Sequence, residues 1–199
     1  MNPPVRALLK EPDQAWEEAL RALQNGEIIL FPTDTVYGLG VDSRATAAIA
    51  RLYAVKGRPR EKPFQWLVAD IACARKHSSG WDARAEKLAR AFWPGPLTLV
   101  VPHHGEGIGW RVPRHDGLLG LLAKLGRPLI ASSANQSGKP PRMNFQPARR
   151  EFADILGFAV DGGRLTASVA STVVILETRQ LRVARQGVIS EEQIHRALG

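Results

Sequence analysis

Lys56-Gly57-Arg58-Pro59 follows one helical pattern, and Ser132-Ser133-Ala134-Asn135 follows a buried strand pattern further along the chain. Neither fits an economical packing role. Two fixed cations and two neutral hydrogen-bonding side chains suit a polyanion. Arginine grips phosphate oxygens bidentately, lysine acts as a point charge, and serine and asparagine bond to phosphate, ribose or base without adding charge. Arg60 and Lys62 extend the first signature, and Pro59 and Pro63 stiffen it, so several cations converge at low entropic cost. A bound polyphosphate relieves their mutual repulsion. Each half also has a plainer reading. Lys56 suits the negative end of a helix macrodipole, and Asn135 suits a turn.

Pro32-Thr33-Asp34-Thr35-Val36-Tyr37-Gly38-Leu39-Gly40 leaves a buried strand pattern. Its hydroxyls and glycines suit a loop folded closely around a small polar ligand, or a capped turn with glycines for tight geometry. Ser171-Thr172 and Arg185 add polar groups beside further strand patterns. The usual phosphate loop, the dinucleotide fingerprint and the nucleophile elbow are all missing from the sequence. The five histidines are scattered apart from His103-His104, so a protein-bound zinc site is not expected.

Periodicity predicts the elements that carry these groups. Asp13 is expected to cap a helix with Trp16, Ala19, Leu20 and Leu23 on one face, stopping near Gly26. Residues 27–31 read as a buried strand. Ser43 is expected to open a second helix that runs out at Gly57. Strands are predicted at 64–68, 97–101, 110–112, 128–131, 158–160, 172–176 and 181–184, and helices at 83–92, 117–125 and 147–156. A capping box is expected at Ser190 and Gln193. The alternation predicts an α/β fold with substantial parallel character, mixed because the last strands are joined by short links. Residues 136–146 read as the most flexible stretch, and Arg179 reads as an exposed arginine.

The 199 residues are 44% hydrophobic and 23% charged, an ordinary globular composition for one sizeable core, so a single domain over 1–199 is expected. The net charge of +8 fits an anionic partner such as a nucleotide, RNA or an anionic surface. With Cys73 as the only cysteine, neither an intramolecular disulfide nor a thiolate zinc cluster can form. No signal-peptide core precedes Glu11 and no apolar run approaches a membrane span, so a cytoplasmic protein without a membrane partner is expected.

Six segments in order resemble the YrdC-like family, the threonylcarbamoyl-AMP synthases. They are the Pro32 to Gly40 segment, Lys56-Gly57-Arg58-Pro59, Trp93-Pro94-Gly95-Pro96-Leu97-Thr98, Arg111-Val112-Pro113, Ser133-Ala134-Asn135-Gln136-Ser137-Gly138 and Ser171-Thr172-Val173. The similarity runs from about Gly26 to Gly187. It implies a twisted open mixed sheet with flanking helices and a positively charged central hollow. It implies ATP, L-threonine and bicarbonate as substrates, with magnesium on ATP, and threonylcarbamoyl-AMP and pyrophosphate as products. Lys56, Arg58, Ser133 and Asn135 match the family's catalytic signature. By the same resemblance, Arg58, Lys62, Ser133 and Arg185 hold ATP, while Thr35, Arg111 and Ser171 hold threonine. It also implies separate tRNA-modification proteins that accept the product, and the chain looks like the short branch of the family.

The sequence departs from the family pattern on the threonine side. Leu67 stands where many relatives have a histidine, and Ala170 where an acidic residue precedes Ser-Thr-Val. Arg185-Gln186-Gly187 replaces a common Arg-Pro-Gly, and Pro140-Pro141-Arg142 replaces Ser-Pro-Thr. The alternative is a YrdC-like protein that binds tRNA or double-stranded RNA, with altered or no synthase activity. A shape-reading RNA binder needs cations dispersed along a surface, and it has no need of Ser133, Asn135 and a hydroxyl-rich loop beside them.

Overall fold

Residues 28–31, Ile-Ile-Leu-Phe, are buried at every position, so both faces of this strand must be covered. A computed structural model describes residues 3–8, 10–166, 169–177 and 180–199; Arg179 lies outside them. In chain order the elements are β1 (Val5–Ala7), α1 (Pro12–Gln24), β2 (Ile28–Phe31), β3 (Gly38–Asp42), α2 (Thr46–Lys56), β4 (Gln65–Leu67), α3 (Ile71–His77), α4 (Ala83–Phe92), β5 (Leu97–His103) and β6 (Glu106–Arg111). Then follow α5 (Asp116–Leu125), β7 (Leu129–Ser133), α6 (Phe145–Phe152) with a 3-10 turn (Ala153–Ile155), β8 (Leu156–Asp161), β9 (Thr172–Leu176), β10 (Leu181–Arg185) and α7 (Glu191–Leu198).

The strands form one open sheet in the order β1-β8-β2-β3-β7-β4-β6-β5-β9-β10. Pairs β1/β8, β2/β8, β4/β6 and β5/β9 are parallel, and the rest are antiparallel. The fold is therefore the mixed α/β sheet that the alternation predicted, twisted and open as the resemblance implied.

Strand alternation sorts the core onto two faces. Ile28, Leu30, Leu39, Val41 and Ile130 pack under α2 and α6. Leu97, Leu99, Val101, Trp110 and Val174 pack under α3, α4 and α7. Register places both sets on the same face, because Trp66 lies opposite both Ile130 and Trp110. The other face carries Ile29, Phe31, Leu67, Leu129 and Ala131 under α1 and α5. Those two helices cover only one part of it. The part over β4, β5, β6 and β9 is left open, and together with Phe31, Leu67 and Ala131 of the covered set it forms the floor of the cavity described below.

Several local expectations change in the structure. Helix α1 starts at Pro12, so Asp13 lies in its first turn and Glu11 takes the cap position without a side-chain cap bond. Proline is favoured there because its missing N–H would be unpaired in any case. Helix α2 starts after Ala45, not at Ser43. Helix α6 begins two residues before Pro147 and gives way to the 3-10 turn at Ala153. The segment read as a ligand loop through Gly40 becomes a buried strand from Gly38 onward. Gly40 is needed there for close approach: a Cβ would sit 2.6 Å from the Phe31 ring. The capping box at Ser190 and Gln193 is present as expected.

Candidate active site

A cavity of about 560 Å³ lies over the uncovered part of the sheet. Its size is within the ~300–1,000 Å³ usual for small-molecule sites. The floor is one alternation set of the sheet: Phe31, Gln65, Leu67, Val100, Gly109, Ala131, Val173 and Ile175. Five cationic residues, Arg58, Lys62, Arg111, Lys139 and Arg185, line it. No aspartate or glutamate appears among the lining residues. The hollow is therefore strongly positive, and it favours an anionic occupant.

One wall comes from the segment between α2 and β4. Gly57 ends α2 in the left-handed region at φ 56°, which turns the chain out of the helix. Arg58 follows, half-buried. Its Nε donates to the carbonyl of Lys62 at 2.6 Å and its Nη2 to that of Pro63 at 3.0 Å. Its guanidinium lies 5.2 Å from the Phe64 ring centroid. These contacts fix the fork in place and leave donors free. Burial pushes its pKa down from the ordinary arginine value, although arginine stays charged. Among the described residues, Arg58, Lys62, Lys139 and Arg185 form no ion pair with a carboxylate. Arg60 does not line the cavity; its guanidinium lies 5.9 Å from the Tyr53 ring centroid.

On the opposite wall Arg111 is neutralised by a carboxylate. Arg111 ends β6 and is only 3% exposed. Its Nη2 donates to Asp34 Oδ1 at 2.6 Å, Nη1 to Thr35 Oγ1 at 3.0 Å and Nε to the Gly95 carbonyl at 3.0 Å. Burial pushes its pKa down, and the Asp34 charge opposes that shift. Two of its five N–H donors remain for a ligand. Thr33 Oγ1 accepts from the backbone N–H groups of Thr35 and Val36, which shapes the segment holding Thr35. Ser171 Oγ lies 2.9 Å from Thr98 Oγ1 and accepts from Arg185 Nη2 at 3.0 Å. Arg185 Nε donates to the Ser171 carbonyl, also at 3.0 Å. Thr98 Oγ1 donates onward to Gln65 Oε1 at 3.4 Å.

Ser133 and Asn135 also line the cavity, at the end of β7. Lys56 does not. It is 3% exposed, and its ammonium donates to the Ser133 carbonyl at 2.6 Å, to the Asn135 carbonyl, and to Asn135 Oδ1 at 3.5 Å. The sequence placed its charge against a polyanion; the structure places it against three oxygens of the protein. Burial, with Arg58 nearby, brings its pKa down to about 8. Thr35, Arg58, Lys62, Arg111, Ser133, Asn135, Ser171 and Arg185 are brought together around one space. Sequence reasoning assigned no role to Asp34, Gln65, Thr98 or Lys139. Asp34 stood inside the hydroxyl-rich segment, and its charge beside two threonines was the available signal.

The match with known proteins follows this geometry. The family model described as "Telomere recombination", which carries the names Sua5, YciO and YrdC, matches residues 21–187. The chain belongs to this family. Among Sua5/YciO/YrdC members, a threonylcarbamoyl-AMP synthase from Bacillus subtilis is 33% identical over 198 residues, covering 94% of this chain and 57% of the relative. One from Vibrio cholerae is 33% identical over 183 residues, covering 86% of this chain and 96% of the relative. The crystal structure of P. abyssi Sua5 complexed with L-threonine superposes with a TM-score of 0.86 at 32% identity, covering 92% of this chain and 57% of that one. The family thus includes members much longer than this chain and members of similar length. No helix among the described residues is long and apolar enough to cross a membrane.

Proposed function

We propose that this protein is an ATP-dependent L-threonylcarbamoyladenylate synthase, a nucleotidyltransferase acting in tRNA modification. The observation that carries the reading is the division of one cavity. A buried Arg111 with two free donors faces the same space as four cations that have no carboxylate partner among the described residues. The first arrangement suits the carboxylate of a small amino acid. The second suits a polyphosphate.

The threonine amine and bicarbonate give N-carboxy-threonine with loss of water. A carbamate oxygen then attacks the α-phosphorus of ATP, the bond to the β-phosphate bridging oxygen breaks, and pyrophosphate leaves. Negative charge accumulates on the non-bridging oxygens and on the leaving group. Arg58 and Arg185, held by hydrogen bonds in a partly desolvated hollow, stand preorganised to stabilise it, and the exposed Lys62 adds its charge. Arg111 takes the threonine carboxylate, and Thr35 and Ser171 offer hydroxyls to the rest of the amino acid. Ser133, whose hydroxyl proton goes to Asn135 Oδ1, presents only its hydroxyl oxygen beside the nucleotide. Holding three small reactants in one cavity supplies much of the remaining acceleration, and no covalent protein nucleophile is needed. The lining residues include no carboxylate, so magnesium fits this site as part of the MgATP substrate, held mainly by the phosphates.

One YrdC-like domain holds all three substrates in this reading, in the cytoplasm, and separate tRNA-modification proteins consume the labile product. The RNA-binding alternative is not favoured, because the cations converge on a single hollow that also presents buried hydroxyls. The test is product identification. Purified protein given ATP, L-threonine and ¹³C-bicarbonate is expected to form threonylcarbamoyl-AMP carrying the label. An unlabelled adenylate, or no adenylated threonine at all, contradicts the reading.

A further inference from the structure

The turn after β7 is held by a set of contacts that leaves none of its polar anchors free for a ligand. Lysine has three N–H donors, and Lys56 has three acceptors around it: the carbonyls of Ser133 and Asn135, and Asn135 Oδ1. Asn135 is equally occupied. Its Oδ1 also accepts from Ser133 Oγ at 2.5 Å, and its Nδ2 donates to the carbonyls of Gln136 at 3.0 Å and Lys139 at 2.5 Å. The backbone N–H of Lys139 donates to the Gln136 carbonyl at 3.0 Å. Lys139 is therefore gripped at both its N–H and its carbonyl, while it lines the cavity and makes no carboxylate pair among the described residues. Its neighbour Arg142 differs, being paired with Glu151 at 2.7 Å.

We propose that Lys139 is a phosphate-contacting residue of the nucleotide site, and that Lys56 and Asn135 are positioning residues that hold the turn presenting it. The inference rests on the reading of the cavity as an ATP site. Its chemistry is simple. A cation fixed by its backbone and lining one hollow with Arg58 and Lys62 is electrostatically frustrated until an anion enters. Lys139 is exposed, so it meets the outer end of a bound chain of phosphates, and ATP feels it more than AMP does.

The experiment measures ATP and AMP dissociation constants by calorimetry for the wild type, Lys139→Ala, Lys139→Arg, Lys56→Met and the double variant Lys56→Met/Lys139→Ala. Lys139→Ala is expected to weaken ATP about tenfold, the size of one charge-assisted hydrogen bond, and AMP less than about twofold. Lys139→Arg is expected to restore ATP binding. On the Lys56→Met background, removal of Lys139 is expected to cost much less than on the wild type, because the turn no longer holds it in place. ATP affinity unchanged by Lys139→Ala, equal losses for ATP and AMP, or full additivity with Lys56→Met would overturn the proposal. If the wild type binds ATP but makes no adenylated threonine, the synthase reading fails while the ATP and AMP comparison still decides the role of Lys139. A wild type that binds neither nucleotide overturns both.

Discussion

Two walls of one cavity handle positive charge in opposite ways. Arg111 is almost fully buried, and Asp34, with its side chain 12% exposed, neutralises it at 2.6 Å. Arg58 is half-buried and is held by two backbone carbonyls, at 2.6 and 3.0 Å, and by the Phe64 ring, with no carboxylate partner among the described residues. The first guanidinium is compensated before any ligand arrives. It offers geometry more than net charge, which suits a small carboxylate that must be placed accurately. The second keeps its full charge, which suits a triphosphate whose transition state gains negative charge. The difference shows how one sheet face can bind a modest ion and a strong one side by side.

The largest expected effect breaks the charged wall. Arg58→Ala is expected to lower kcat/KM for ATP about 100-fold, in the range seen when one preorganised donor to a transition-state oxyanion is lost. The KM for threonine is expected to change little. Steady-state kinetics with each substrate varied in turn checks this, and a dominant effect on threonine would reverse the assignment of the walls.

Breaking the compensated wall is expected to give the mirror image. Arg111→Lys loses the planar fork that reaches Asp34, Thr35 and Gly95 together, so the KM for threonine rises about tenfold or more while that for ATP holds. Arg111→Ala is a different experiment. It leaves the largely but not fully buried Asp34 without its cation and is expected to destabilise the fold by about 3 kcal/mol, read from denaturant midpoints.

A third prediction concerns the buried cation behind the charged wall. The Lys56 pKa of about 8 in the folded protein lies below the ~10.4 of an unfolded lysine. Between these values the unfolded chain binds the extra proton, so stability rises with pH across that window. Wild type is therefore expected to gain stability relative to Lys56→Met from about pH 8 to 10, and to run parallel to it below pH 7. A falling difference over that window would mean that the folded state favours the charged ammonium. The smallest effect belongs to Thr98→Val, which removes the link between Ser171 and Gln65. About a threefold rise in the KM for threonine is expected, the size of one neutral hydrogen bond, with no change for ATP.

Much of this was legible in sequence where a local signal sufficed. Helix α4 runs over Ala83–Phe92 as predicted, because Asp82 caps it with bonds to the N–H groups of Arg84 and Ala85 and Trp93-Pro94 stops it. Strands β1 and β3 and helix α3 were not foreseen. β1 has three residues and depends on pairing with β8 for its existence. β3 begins Gly-Leu-Gly, a poor strand sequence, and is stabilised by the Phe31 ring lying against its glycines. α3 spans seven residues, too few for periodicity to stand out. Asp70 starts it by accepting from the N–H of Cys73.

The site shows the same limit. Runs such as Lys56 to Lys62 are visible because their cations are close in sequence. The Asp34–Arg111 pair spans 77 positions, and the Thr98–Ser171 contact spans 73. Only the sheet order brings them together. The saturated state of Lys56 was hidden for the same reason, since its acceptors come from the far end of β7.

The most direct measurement of the central claim is the rate of pyrophosphate release by the folded protein in ATP, bicarbonate and magnesium, with and without L-threonine. Release that depends on threonine and saturates with it is the predicted result. Release at the same rate without threonine, or no release from protein shown to bind ATP, would contradict the account.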